Sequence, residues 1–279
     1  MAEATRPAKG GMSKRQRAKV GRGVQYVILL ALVVVGAVLA DWNKIGDAFF
    51  NVEVARALFP TVITTALVNT AVYTALGFAF GLGLALLLAL MRLSSVGPYR
   101  WISGAYIEFF RGLPALLVFL SVGFGIPTAF EGLNLDRNLT IMLSLGIVGS
   151  AYMAETIRAG IKAVPGGQLE AARSLGMSHA RATTTVVIPQ AFRIILPPLT
   201  NELILLTKDS SLAFVLGATL SQQELTQFGR SALTSYESMT PILVVGLCYL
   251  VITIPLSVLQ QRLERRFGPG GNGGQGSGA

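Results

Sequence analysis

Six long apolar stretches, set between shorter polar connections, constrain this chain more than any other feature. They are Val24–Ala40, a segment within Val62–Met91, Ile102–Ile126, Leu139–Ile157, a proline-interrupted stretch from Leu196 to about Leu220, and Pro241–Leu259. A membrane helix needs ~20 mostly apolar residues at about 1.5 Å rise each, and these stretches reach or approach that length. Charged residues make up only 13% of the 279, against about 25% in soluble globular proteins. The pattern predicts an all-α membrane protein of six transmembrane helices. The first stretch is short, but Asp41 and Trp42 close it with an interfacial signature. A cleaved signal peptide would account for the basic residues before it. The run is long for a signal core, however, and Ala40-Asp41 is a weak cleavage site, so an uncleaved helix over 24–40 is the preferred reading.

Orientation follows from Lys and Arg, which collect on the cytoplasmic side. With the N-terminus inside, the inner segments hold Arg6, Lys9, Lys14, Arg15, Arg17, Lys19, Arg22, Arg92, Arg100, Arg158, Lys162, Arg173, Arg181, Arg193, Arg262, Arg265 and Arg266. The outer segments hold Lys44, Arg56, Arg137 and Arg230, so the bias is seventeen to four. Both termini are therefore expected in the cytoplasm, with 1–23 a basic cytoplasmic segment and the net charge of +9 a topology signal. An arm for nucleic acid would interleave aromatic residues with the charges, and none stand there. The Gly-rich tail at 267–279 has nothing to bury and is expected to be disordered. One cysteine, Cys248, and one histidine, His179, leave no disulfide and no Cys- or His-based metal site. No catalytic cluster and no cofactor site are expected. No lysine is followed by Ser or Thr, so the chain has no phosphate-binding loop of the G-x-x-x-x-G-K-[ST] kind.

The segment 158–195 is long for a connection and patterned as helix. Pro165 ends one element; Gln168 to Leu175 are good helix formers, and Gly176 stops them. Leu169, Ala172 and Leu175 recur every three residues and are expected to share a face. A second short helix is expected from His179 to Val187, before Pro189. A two-turn helix with one small apolar face is marginal alone. It either lies on the bilayer surface or docks into a cytoplasmic partner, and composition leaves both open.

Glu170-Ala171-Ala172, three residues, Gly176, nine residues, then Val186-Val187-Ile188-Pro189 resembles the EAA loop of ABC importer permeases, with Val186 for Ile and Ile188 for Leu. Ala151 to Ile161, Gly167-Gln168, Pro189-Gln190-Ala191, Lys208 to Leu212 and Tyr106 to Pro114 are similar to the histidine/glutamine/glutamate subfamily of polar amino acid importers. The resemblance covers roughly 61–266, and it implies a five-helix permease core of the type I importer kind, to which 24–40 adds a helix. It further implies that Gln168, Glu170, Ala171, Ala172, Gly176 and Pro189 belong to a coupling loop. That loop would insert into a separate ATP-binding subunit, present as a dimer. A second permease, identical or a paralogue, and an extracytoplasmic amino-acid-binding protein complete the implied assembly in a bacterial cell membrane. The added helix favours a paralogue.

Glu108/Arg111 and Glu155/Arg158 are i,i+3 pairs at helix ends and are expected to pair locally. Lys208 and Asp209 would fall near the middle of the fifth span, with Glu202 about two turns away and Pro189, Pro197 and Pro198 breaking the helix upstream. Charges at such depth are costly and usually face a bundle interior. These three residues either line the substrate path, or Lys208 and Asp209 form an ion pair that locks helices. A secondary transporter or channel working through Lys208 and Asp209 is the alternative function, although it leaves the central loop unexplained. Gly77 and Gly81, at i,i+4, are expected to let helices pack closely.

Overall fold

The computed structural model describes residues 14–130, 132, 133 and 135–267. The expected tail at 268–279 and the first thirteen residues of the basic segment lie outside them. Every regular element among the described residues is helical. The chain divides into two units, residues 1–51 and Val52 onward.

In the first unit, α1 (Lys14–Leu39) carries the span Ala18–Leu39 and α2 (Trp42–Phe49) follows. Asp41 caps α2 by accepting from Lys44 N at 3.1 Å, and Trp42 Nε1 donates to Ala37 O at 2.8 Å. The interfacial dipeptide thus satisfies backbone groups left over where one helix stops and the next begins.

In the second unit, α3 (Val52–Ala57) precedes a π-helical turn over Val62–Leu67 that runs into α4 (Val68–Leu93). Next come α5 (Gly97–Gly112), α6 (Ala115–Leu120), a π turn at Ser121–Gly125, and α7 (Ile126–Ala129). Then α8 (Arg137–Lys162) leads to α9 (Gly166–Ser174) and α10 (His179–Ala182), and a π turn at Thr183–Val187 runs into α11 (Ile188–Asp209). Short 3-10 segments at Ser210–Leu216 and Leu220–Gln222 precede α12 (Leu225–Tyr236) and α13 (Thr240–Phe267).

By length and composition, four helices among the described residues can cross a membrane: those over Ala18–Leu39, Val62–Leu93, Arg137–Lys162 and Thr240–Phe267. A fifth crossing is available as a bent pair. The expected straight span Ile102–Ile126 is that pair, turned by 106° between Gly112 and Ala115, because Pro114 cannot continue α5 and biases Leu113 to extended backbone. The expected span from Leu196 to Leu220 is not one helix either, since α11 ends at Asp209. Pro197 and Pro198 lie inside it without ending it; bundles tolerate such prolines where neighbouring groups re-satisfy the freed carbonyls.

The core centres on α8, most of whose apolar stretch is buried, whereas most of α13 is not. On α13, apolar side chains such as Leu247, Val251 and Ile254 face outward, the arrangement suited to lipid as solvent. The closest packing joins α8 to α4. A methyl group at Gly77 would stand 2.5 Å from Leu145 Cβ, and one at Gly81 would stand 3.0 Å from Gly146 O and 3.1 Å from its Cα. Gly77 and Gly81 therefore let two backbones meet, as expected, whereas Gly83 faces open space. The connection before α12 is tied to α4: Asn69 Nδ2 donates to Ser221 O and Gln223 O, and Tyr73 Oη to Gln222 O, each at 2.9 Å.

Candidate functional site

The central segment folds into a knob. Its first helix, α9, is short and ends in a Schellman turn: Gly176 N donates to Arg173 O at 2.9 Å and Met177 N to Ala172 O at 3.3 Å. That closure requires a left-handed residue, and Gly176 supplies φ +87°. Ala172 is buried, and Leu169 packs against the main core, anchoring a helix too short to persist alone. Gln168, Glu170, Ala171 and Gly176 are exposed around that anchor.

Leu175 departs from the expected face and is 86% exposed. It is the C-cap of α9, outside the helical register that Leu169 and Ala172 share. The second short helix is also not separate. Ser178 Oγ caps α10 by accepting from Arg181 N at 3.3 Å, and the chain continues helically into α11 with Pro189 in its first turn. Proline is tolerated there because a first-turn N–H has no intrahelical partner. Pro189 therefore stands at the foot of α11 and not at the knob's tip, while the neighbouring Gln190 Nε2 reaches Gln168 Oε1 at a long 3.5 Å. Because α8 extends to Lys162, the non-spanning part of 158–195 is shorter than the sequence pattern indicated.

The charged residues of α11 are arranged differently from expectation. Asp209 is the last residue of the helix, so Lys208 and Asp209 mark a helix end and not the middle of one continuous helix. Ser210 Oγ donates to Thr207 O at 2.7 Å, the backbone tightens into 3-10 form, and Gly217 at φ +66° ends that segment. Lys208 is exposed, Asp209 half-buried, and the two make no salt bridge with each other. The locking pair is thus not formed. Glu202 lies within electrostatic reach of Asp209 and of Arg111. Together with Pro197, Pro198 and Asn201 it borders a cavity of about 740 Å³ that Gln260 and Glu264 of α13 also line.

Of the two i,i+3 pairs, Glu155 and Arg158 form the expected one, with Nε donating to Oε2 at 2.8 Å. Glu108 and Arg111 do not pair. Arg111, in the last turn of α5 before the bend, lies 5.7 Å from the Tyr152 ring centroid on α8. Sequence reasoning therefore missed Arg111 as a neighbour of Glu202, since that proximity comes from tertiary packing. It also missed Glu224, which is fully buried and caps α12 by accepting from Thr226 N and Gln227 N. The only signal was its place just before a helical run, and Glu is a weak N-cap type.

Comparison with known proteins fits this geometry. The probable glutamine ABC transporter permease protein GlnM of Bacillus subtilis is 39% identical over 197 residues, covering 69% of this chain and 88% of GlnM. The arginine transport system permease protein ArgU of Corynebacterium glutamicum is 35% identical over 264 residues, covering 90% of this chain and 81% of ArgU. A solved amino acid ABC transporter with histidines superposes with a TM-score of 0.68 at 37% identity, over 76% of this chain and 96% of that one. A methionine ABC transporter structure, MetNI, shares the fold at 21% identity and a TM-score of 0.55, over 77% of this chain and 95% of its own. The family model for the inner membrane component of binding-protein-dependent transport systems matches residues 80–269, and the chain belongs to that family.

Proposed function

We propose that the chain is the permease subunit of an ATP-driven importer for a polar amino acid of the glutamate, glutamine, histidine and arginine group. It spans a bacterial cytoplasmic membrane with both termini inside. ATP hydrolysis belongs to a separate pair of ATP-binding subunits, a second permease completes the pathway, and an extracytoplasmic binding protein delivers substrate. The observation that carries the reading is the knob: Glu170 and Ala171 of α9 and the Gly176 that closes it stand exposed, while Ala172 anchors the helix to the bundle. Small alanines allow a partner backbone to approach, Gly176 closes the turn, and Glu170 can meet a basic group or a helix N-terminus of the ATP-binding subunit. Closure of the ATP-binding subunits would move the knob and rock the helices above it. The half-buried Glu202 and Asp209, with Lys208 beside them, form the candidate substrate path.

Co-purification with neighbouring gene products, followed by uptake in proteoliposomes, tests the reading. Uptake is expected only when the ATP-binding subunits, ATP and the loaded binding protein are all present. Uptake by the chain without an ATP-binding partner would instead favour a secondary transporter or channel.

A further inference from the structure

At the end of the bundle remote from the knob, α8 begins beside a small polar cavity. Its volume is about 260 Å³, and its walls include Gly123, Arg137, Thr140, Gly217 and Gln222. That is room for roughly eight waters at ~30 Å³ each, enough to admit the head of an amino acid.

Arg137 dominates its electrostatics. Its guanidinium lies 5.9 Å from the Tyr73 ring centroid, Nη1 donates to Gly217 O, and Nη2 donates to Ala213 O at 3.4 Å. Those contacts position the group but leave its charge unpaired, because both acceptors are neutral carbonyls. Among the described residues no carboxylate comes within ion-pair distance of it. Its Nε is buried with no hydrogen-bond partner. Glu224 feels the Arg137 charge, but its oxygens are taken by Thr226 N, Gln227 N and Tyr249 Oη. Gln222 adds a donor: its Oε1 accepts from Thr219 Oγ1 at 2.9 Å, leaving the amide NH₂ for a ligand. A pocket with a fixed guanidinium, a free amide donor and no acidic residue among these walls suits a carboxylate, which accepts from several N–H groups at once.

We propose that this cavity binds the carboxylate of the amino acid where it enters the permease, with Arg137 as the charge that holds it and Gln222 as the second donor. The inference rests on the importer reading above, which puts this end of α8 on the entry side. A free amino acid is favoured over an acidic side chain of a protein partner because the walls form a small recess rather than an extended surface.

The test uses the complete transporter in proteoliposomes, driven by increasing amounts of loaded binding protein, with L-arginine, L-glutamine, L-glutamate and L-histidine as probes in turn. For Arg137→Gln, maximal uptake per assembled complex should fall roughly tenfold or more, the effect of losing a charge-assisted hydrogen bond. The binding-protein concentration for half-maximal uptake should stay unchanged, and Arg137→Lys should recover part of the loss. A raised half-maximal concentration at full maximal rate would move Arg137 to binding-protein docking and overturn the proposal, as would unaltered uptake. Arg137 also ties down residues 213–217, so if the Gln variant does not assemble, Gln222→Leu and Arg137→Lys carry the same test. If the wild type takes up none of the probes, the importer reading itself is at fault; if it does and the variants match it, the site alone is refuted.

Discussion

Gly176 offers a perturbation in which backbone strain can be separated from steric conflict. Its φ of +87° lies where side chains are disfavoured, yet no heavy atom comes within 4 Å of where a Cβ would stand. A substitution there therefore costs backbone energy alone, about 1–2 kcal/mol for Ala. That lowers the ratio of closed to open Schellman turn by roughly 5- to 30-fold. Asn tolerates the left-handed region better than Ala, and a β-branched residue tolerates it worst. Because the turn is exposed, all the variants should insert and assemble like the wild type. ATPase activity stimulated by loaded binding protein, measured per reconstituted complex, should rank Gly above Asn, Asn above Ala, and Ala above Val. Val as active as Gly, or Asn below Val, would refute the argument from conformation. Equal failure of all three would mean that the partner excludes any side chain and does not read the shape of the turn.

The remaining predictions concern packing, docking and the path. Gly81→Val drives a side chain into the α8 backbone at Gly146 and should destabilise the permease by about 1–3 kcal/mol, seen as a lower melting temperature in detergent; Gly83→Val, facing open space, should not. Leu175→Ser removes an 86% exposed side chain and should leave the permease's melting temperature unchanged. If docking buries that leucine, it should weaken association with the ATP-binding subunit by about 1.5–3 kcal/mol, and co-purification at wild-type yield after stringent washing would refute this. Asp209→Asn removes a charge that holds no salt bridge, so protein yield should persist while competition assays show altered substrate preference. Uniform loss of protein would return Asp209 to a bracing role.

What could be read from the sequence follows from how local each cause is. Lipid demands long apolar runs, so the helices over Val62–Leu93, Arg137–Lys162 and Thr240–Phe267 were legible. Gly77 and Gly81 were legible for the same reason, since small residues at i,i+4 in an apolar helix have few other uses. Breaks were misjudged. Pro197-Pro198 carries the stronger local signal, yet it stays helical inside the bundle, while the chain changes course after Asp209, where Ser210 bonds back to Thr207 and Gly217 adopts a left-handed turn. Ion pairs divide along the same line. Glu155–Arg158 closes within one helix turn, whereas the Arg111 guanidinium lies over a tyrosine 41 positions away. Arg137 was legible only as an outer basic residue; its cavity needs Gly123 and Gly217, which are remote in sequence.

The two ends of the molecule share the same helices, and this limits how a motion of the knob can travel. One side of the knob joins α8 through the two residues before Pro165, with Val164 buried in the main core. The other side runs through an unbroken helical turn into α11. Both junctions are short, three residues at 163–165 and the Gly176 turn at 175–178, so a displacement of α9 has little slack before it bears on α8 and on the helical run into α11. Glu202 and Asp209 ride on α11, and Arg137 heads α8. Close α4–α8 packing at Gly77, Gly81 and Gly146 couples α4 to the same motion, because close-packed interfaces shift as units and do not deform continuously. If the knob is pulled as proposed, the motion would reach the charged groups of α11 and Arg137 at the head of α8 together. Forcing α4 and α8 apart with Gly77→Ala, whose methyl would stand 2.5 Å from Leu145 Cβ, should therefore impair uptake at a level of expression where the protein is still assembled.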